Sequence, residues 1–112
     1  SVGAPTDTLA SAKDFIAAYE AEKYAEPYEA YGAYAYDAAN AIIEALKTSL
    51  KDAKSATDAR EATIKAMSSV SFDGVTGKVA FDEFGDTTSR VLTVYEVAGG
   101  KWAAKDTSEF KK

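Results

Sequence analysis

The chain contains neither cysteine nor histidine. That excludes disulfides, thiol redox chemistry, Ser-His and Cys-His catalysis, and the usual Cys/His zinc and haem sites. Carboxylate, tyrosine and lysine chemistry stays open. Basic charge is also short, with 13 Lys+Arg against 18 Asp+Glu and a net charge of −5. A pI near 4.7 leaves no broad positive field for phosphate-driven nucleic-acid binding. The apolar runs are short and interrupted, so none is long enough to span a bilayer. The opening Ser1-Val2-Gly3-Ala4-Pro5 has neither the basic start nor the apolar run of a secretion signal.

Large apolar side chains are scarce as well. The hydrophobic fraction is 46%, yet 23 of the 112 residues are alanine, and Ile, Leu, Val and Phe together number only 20. A compact fold of this length hides roughly 65% of its unfolded surface, enough for one core if the side chains can fill it. A low content of large aliphatics signals disorder when net charge is high. Here the net charge is modest and the helical patterns are clean, so the composition points instead to a piece that packs against something else.

Helical periodicity appears three times. Leu9 to Lys23 reads as a short helix with Phe15, Ile16 and Tyr19 on one stripe, and Ser11 with Asp14 has capping-box spacing. Pro27 then interrupts, and Glu26 before it is biased away from helix. From Tyr34 to Leu50, Ala35, Ala38, Ala39, Ile42, Ile43, Leu46 and Leu50 recur at three- and four-residue steps, opposite Asn40, Glu44 and Lys47. A third helix starts at a Ser55/Asp58 cap and ends near Ser68. Beyond it the period changes to two. Val79 and Phe81 mark one strand, and Val91, Thr93, Tyr95 and Val97 share a face of another. Gly99-Gly100 predicts a tight hairpin, with Lys101 to Ala104 returning as its partner and Ser108 to Lys112 as a frayed tail. The expected class for this chain is α+β: about three helices, then short strands and a C-terminal hairpin.

Four constellations invite a functional reading. Tyr24, Tyr28, Tyr31, Tyr34 and Tyr36 lie close together before and within the long helix, where they either line a small-molecule cleft or pack under the helix start with wet hydroxyls. Asp82-Glu83-Phe84-Gly85-Asp86 fails the calcium-loop pattern, because Phe84 and Thr93 stand where ligands are required; it reads as a polar turn. Gly74-Val75-Thr76-Gly77 lacks the Lys-Ser/Thr ending of a phosphate loop and opens no helix, so it reads as a turn before a strand. The scattered carboxylates form no spacing that marks an acid–base pair, and no catalytic residue, metal site or cofactor is assigned.

Read in order, several blocks resemble the late part of periplasmic branched-chain amino-acid binding proteins, the solute receptors of ABC importers. These blocks are Phe15 to Ala21, Pro27, Ala30 to Leu46, Phe72 to Asp86, Val94 to Val97, and Gly100-Lys101-Trp102. The resemblance spans nearly the whole chain. It implies an α/β fold of two doubly wound lobes joined by three crossovers, with this chain as the carboxy-terminal third, residues 1–112 not forming a complete domain. It further implies a non-enzymatic, periplasmic or extracytoplasmic receptor that binds a small amino acid between its lobes and presents it to a membrane permease. Branched-chain and other aliphatic amino acids, amides and small aromatic acids are the implied ligands. Carried over by position, the aromatic wall of the ligand cleft falls on Tyr31, with Tyr34 as the next candidate. Tyr36 and Asp37 match a Tyr-Asp pair that orients the helix. A fragment of this kind is expected to self-associate. The alternative is a self-contained α+β interaction module that uses the tyrosine row as a protein-binding surface.

Overall fold

A computed structural model describes residues 3–110. Two 3-10 turns, Thr6–Thr8 and Ala10–Ala12, lead into α1 (Lys13–Ala21). Then follow α2 (Gly32–Ser49), α3 (Ala56–Met67), β1 (Ser71–Gly74), β2 (Gly77–Ala80), β3 (Val91–Ala98) and β4 (Lys101–Glu109). β1 pairs with β2 and β3 with β4, each pair an antiparallel two-stranded sheet. The chain is therefore α+β.

Local signals account for much of this. Ser55 adopts an extended conformation and its hydroxyl accepts the Asp58 N–H at 3.1 Å, so the start of α3 is the predicted cap. Gly99 and Gly100 have φ of 58° and 76°, both left-handed, which suits the tight turn between Ala98 and Lys101. β4 runs further than the sequence pattern indicates. Ser108 pairs with Leu92 and Glu109 with Val91, so the first two residues of the expected frayed tail are strand; Lys111 and Lys112 lie outside the described residues. A bulge between Val94 and Tyr95 shifts the register and hides the alternation in β4. β1 was not legible at all, because Ser-Phe-Asp-Gly carries a single large apolar residue.

α1 begins at Lys13 rather than Leu9, and Ser11 is not its cap. Its hydroxyl donates to the Val75 carbonyl at 2.7 Å instead, a tie across 64 residues of sequence. α2 forms as expected but turns a different face inward. Ala33, Asp37, Ala41, Ala45 and Ser49, spaced by fours, are its buried line. Ser49 meets Thr63 of α3 hydroxyl to hydroxyl at 2.7 Å, and small residues along this line let α3 and the β1–β2 hairpin approach closely. The Ile/Leu stripe stays in water: Ile42, Ile43 and Leu50 are each about half exposed.

The core is correspondingly thin. Its two clusters are built around Ala12, Ala33 and Val75, and around Ala41, Ala45 and Val70. The radius of gyration is 16.7 Å, against about 13 Å for a compact chain of this length. Shape and burial both agree with the shortage of large apolar side chains in the composition.

Candidate functional site

The two predicted ligand residues occupy the start of α2, but their surroundings differ. Tyr31 is the residue before the first helical turn, and its carbonyl accepts the Ala35 N–H at 2.9 Å. Its ring is 76% exposed. Tyr34, three residues on, is half-buried and donates its hydroxyl to the Ala4 carbonyl at 3.0 Å. That bond ties the N-terminal segment to the helix. The same segment is held again where Gly3 N–H donates to Val91 O at 2.7 Å and the Thr93 hydroxyl donates to Gly3 O at 2.7 Å. Tyr31 thus offers a free ring face, whereas Tyr34 spends its polar group inside the chain.

Burial raises the Tyr34 pKa above its ordinary 10.0, and Tyr95 and the Asp37 carboxylate push it the same way. The neutral phenol is therefore the form the fold holds. A raised folded-state pKa means this stabilisation is complete below pH 10 and is lost as pH rises through the raised value. Alkaline unfolding followed by circular dichroism is expected to show this loss in the native chain. Tyr34→Phe is expected to remove that component above pH 10 while lowering stability at neutral pH. An identical alkaline profile in the two proteins would contradict the assignment.

The feature that sequence reasoning missed is the partner of Asp37. This carboxylate is 4% exposed. It accepts the Val75 N–H at 2.9 Å, the Thr76 N–H at 2.7 Å and the Thr76 hydroxyl at 2.6 Å. The Gly74–Gly77 turn does cradle an anion, then, but the anion is the chain's own. A Cβ on Gly74 would lie 2.6 Å from the Asp37 carboxylate, so only glycine admits this approach. The acidic turn at 82–86 is likewise filled from within. Asp82 Oδ1 accepts the N–H groups of Phe84 and Asp86, each at 3.0 Å. Among the described residues no cluster of three acidic side chains is placed to hold a metal, and no helix is long and apolar enough to cross a membrane.

Beside the start of α2 lies a cleft of about 650 Å³ between the N-terminal 3-10 turn, the 27–30 loop that leads into Tyr31, and the β3–β4 hairpin. Tyr28, Tyr95 and Trp102 supply apolar surface to it. Thr6 also lines it, and the Thr6 hydroxyl is buried with no hydrogen-bond partner among the described residues. Aromatic walls with a few polar atoms are what a small-molecule cleft needs.

The profile of a protein family described as periplasmic binding protein matches residues 2–101. The chain belongs to that family. No curated protein matches it. The family is one of solute receptors rather than enzymes. Family membership supports a role in solute binding and transport.

Proposed function

We propose that the chain is the carboxy-terminal portion of a solute-binding receptor of an ABC importer, working outside the cytoplasmic membrane and taking a branched-chain or other small amino acid between two lobes. The family match over residues 2–101 carries this reading. The half-exposed Ile42, Ile43 and Leu50 of α2 support it, since a helix of this kind expects a sheet against that stripe. In the whole receptor Tyr31 packs against the ligand side chain, while Tyr34 and Asp37 hold the helix start that presents it. Closure of the lobes follows from tighter ligand binding to the closed state, and the closed surface is what a permease recognises.

By this reading the 112-residue chain alone holds one wall of the cleft, so calorimetry with leucine is expected to show no binding at micromolar concentration. In the whole receptor Tyr31→Ala is expected to weaken amino-acid binding by about tenfold or more, the loss of one well-buried aromatic contact. Its exposure in the chain predicts no change in melting temperature. Micromolar leucine binding to the chain itself, or an unaltered affinity in the Tyr31 variant, would overturn the reading. A cooperative melt of a monomer at high concentration favours the self-contained interaction module instead.

A further inference from the structure

Phe15, Ala18 and Tyr19 of α1 and Glu22, the residue that ends it, share one face at the i, i+3, i+4 and i+7 positions. After Glu22 the backbone reverses at Lys23, whose φ is 54°. That reversal returns Tyr24 against Tyr19, with ring centroids 4.8 Å apart and planes at 55°. From α2, Tyr36 reaches Phe15 at 5.4 Å and 51°. Phe15 and Tyr19 stand 6.0 Å apart at 42°. Four tilted rings therefore enclose a depression of about 410 Å³, with Glu22 at its wall.

The enclosure is held from behind. Tyr28 meets Phe15 and Tyr19 edge-on, at 6.1 and 5.9 Å. The Tyr19 hydroxyl donates to the Glu26 carbonyl at 3.1 Å and so fixes its ring. Gly32 lets Tyr28 pack closely behind the rings, since a Cβ there would come within 3.1 Å of the Tyr28 Cβ. Yet the front is wet: Tyr24 and Tyr36 are 60% and 52% exposed.

Aromatic faces carry negative electrostatic potential, and Glu22 adds a full negative charge. Among the described residues that line the depression, none is a lysine or arginine. The site offers four π faces with one carboxylate beside them. It suits a cation that has no N–H groups to satisfy and that sheds water easily. We propose that this depression binds a small quaternary ammonium cation. Tyr31, the proposed wall of the amino-acid cleft, does not line this depression, so this assignment is tested apart from the receptor reading.

The test is an NMR titration of the chain with choline chloride, followed at the ring signals of Tyr19, Tyr24 and Tyr36. Saturable shifts with a Kd in the millimolar range are expected, on the order of 1–10 mM for an open aromatic site. The uncharged isostere 3,3-dimethylbutanol is expected to bind at least about tenfold more weakly, because it keeps the shape and loses the charge. Sodium chloride at equal ionic strength should shift nothing. Tyr24→Leu and Glu22→Gln each weaken choline binding, the first by about tenfold and the second by about threefold. Phosphatidylcholine vesicles are expected not to pellet the chain. Equal binding of choline and its isostere, no shift up to about 100 mM choline, or capture by vesicles with no response to free choline would each overturn the proposal. The isostere comparison uses the unmodified protein, so it holds even if a variant misfolds.

Discussion

Replacing Asp37 by alanine is expected to destabilise the chain by about 3 kcal/mol, the sum of lost charge-assisted hydrogen bonds and newly orphaned donors. By the usual scaling for a domain of this size, the melting temperature falls by roughly 15 °C. The reason is geometric. Asp37 sits on the inward line of α2 and satisfies two successive backbone N–H groups, Val75 and Thr76, together with the Thr76 hydroxyl. Among the described residues no other hydrogen bond joins α2 to the turn between β1 and β2. Asp37→Asn keeps one acceptor oxygen and should lose roughly half as much. Gly74→Ala should also destabilise, because its Cβ meets the same carboxylate at 2.6 Å. In the Asp37→Ala background that clash disappears, so the double variant should be more stable than the sum of the two single changes predicts. Asp73, 93% exposed, is the control, and its alanine variant should shift stability by less than about 0.5 kcal/mol. Amide exchange at Val75 and Thr76 reads the same event locally. Protection of those two amides in Asp37→Ala equal to the native level would contradict this account.

The second large effect concerns the outer face of α2. Ile42 at 50%, Ile43 at 49% and Leu50 at 56% exposure form one stripe with Leu46. A contiguous apolar patch of this kind drives association. The stripe of one helix is smaller than a standard interface, so the self-association is expected to be weak, on the order of 10–100 µM. Light scattering should give a mass that rises with concentration above that range. The double variant Ile42→Lys, Leu46→Glu is expected to remain at 11.9 kDa throughout, with unchanged helix content, since neither side chain belongs to the buried line. In the complete receptor the same pair of changes places charges against the proposed sheet and costs upwards of about 3 kcal/mol. A native chain that stays monomeric up to about 1 mM, or a double variant that still associates, would remove the argument that this face awaits a cover.

How far the sequence could be read depended on how far apart the interacting groups lie. The Ser55 cap and the Gly99-Gly100 turn were legible because their partners are two to four residues away. The existence of α2 was legible from a long three-to-four repeat. Its orientation was not. Two stripes compete on that helix, one of large aliphatics and one of small residues with a carboxylate, and the usual rule that large apolar side chains face inward selects the wrong one for the chain by itself. Tyr31 and Tyr34 could be named from resemblance to the family, yet nothing local distinguishes an exposed ring from one that donates to Ala4, thirty residues upstream.

What the sequence determined by itself is therefore the α+β order, the turn chemistry, the lack of thiol and imidazole groups, the net negative charge and the shortage of core material. Each of these depends on composition or on neighbours along the chain. Only the tertiary structure decided that Ser11 binds Val75, that Asp37 fills the Gly74–Gly77 turn, that Tyr34 anchors the N-terminal segment, and that Glu22 shares a wall with four aromatic rings. A hydroxyl or carboxylate has the same letter whether water or a backbone thirty to sixty residues away satisfies it. Periodic patterns reveal which face of an element is apolar, but only packing settles which partner reaches it first.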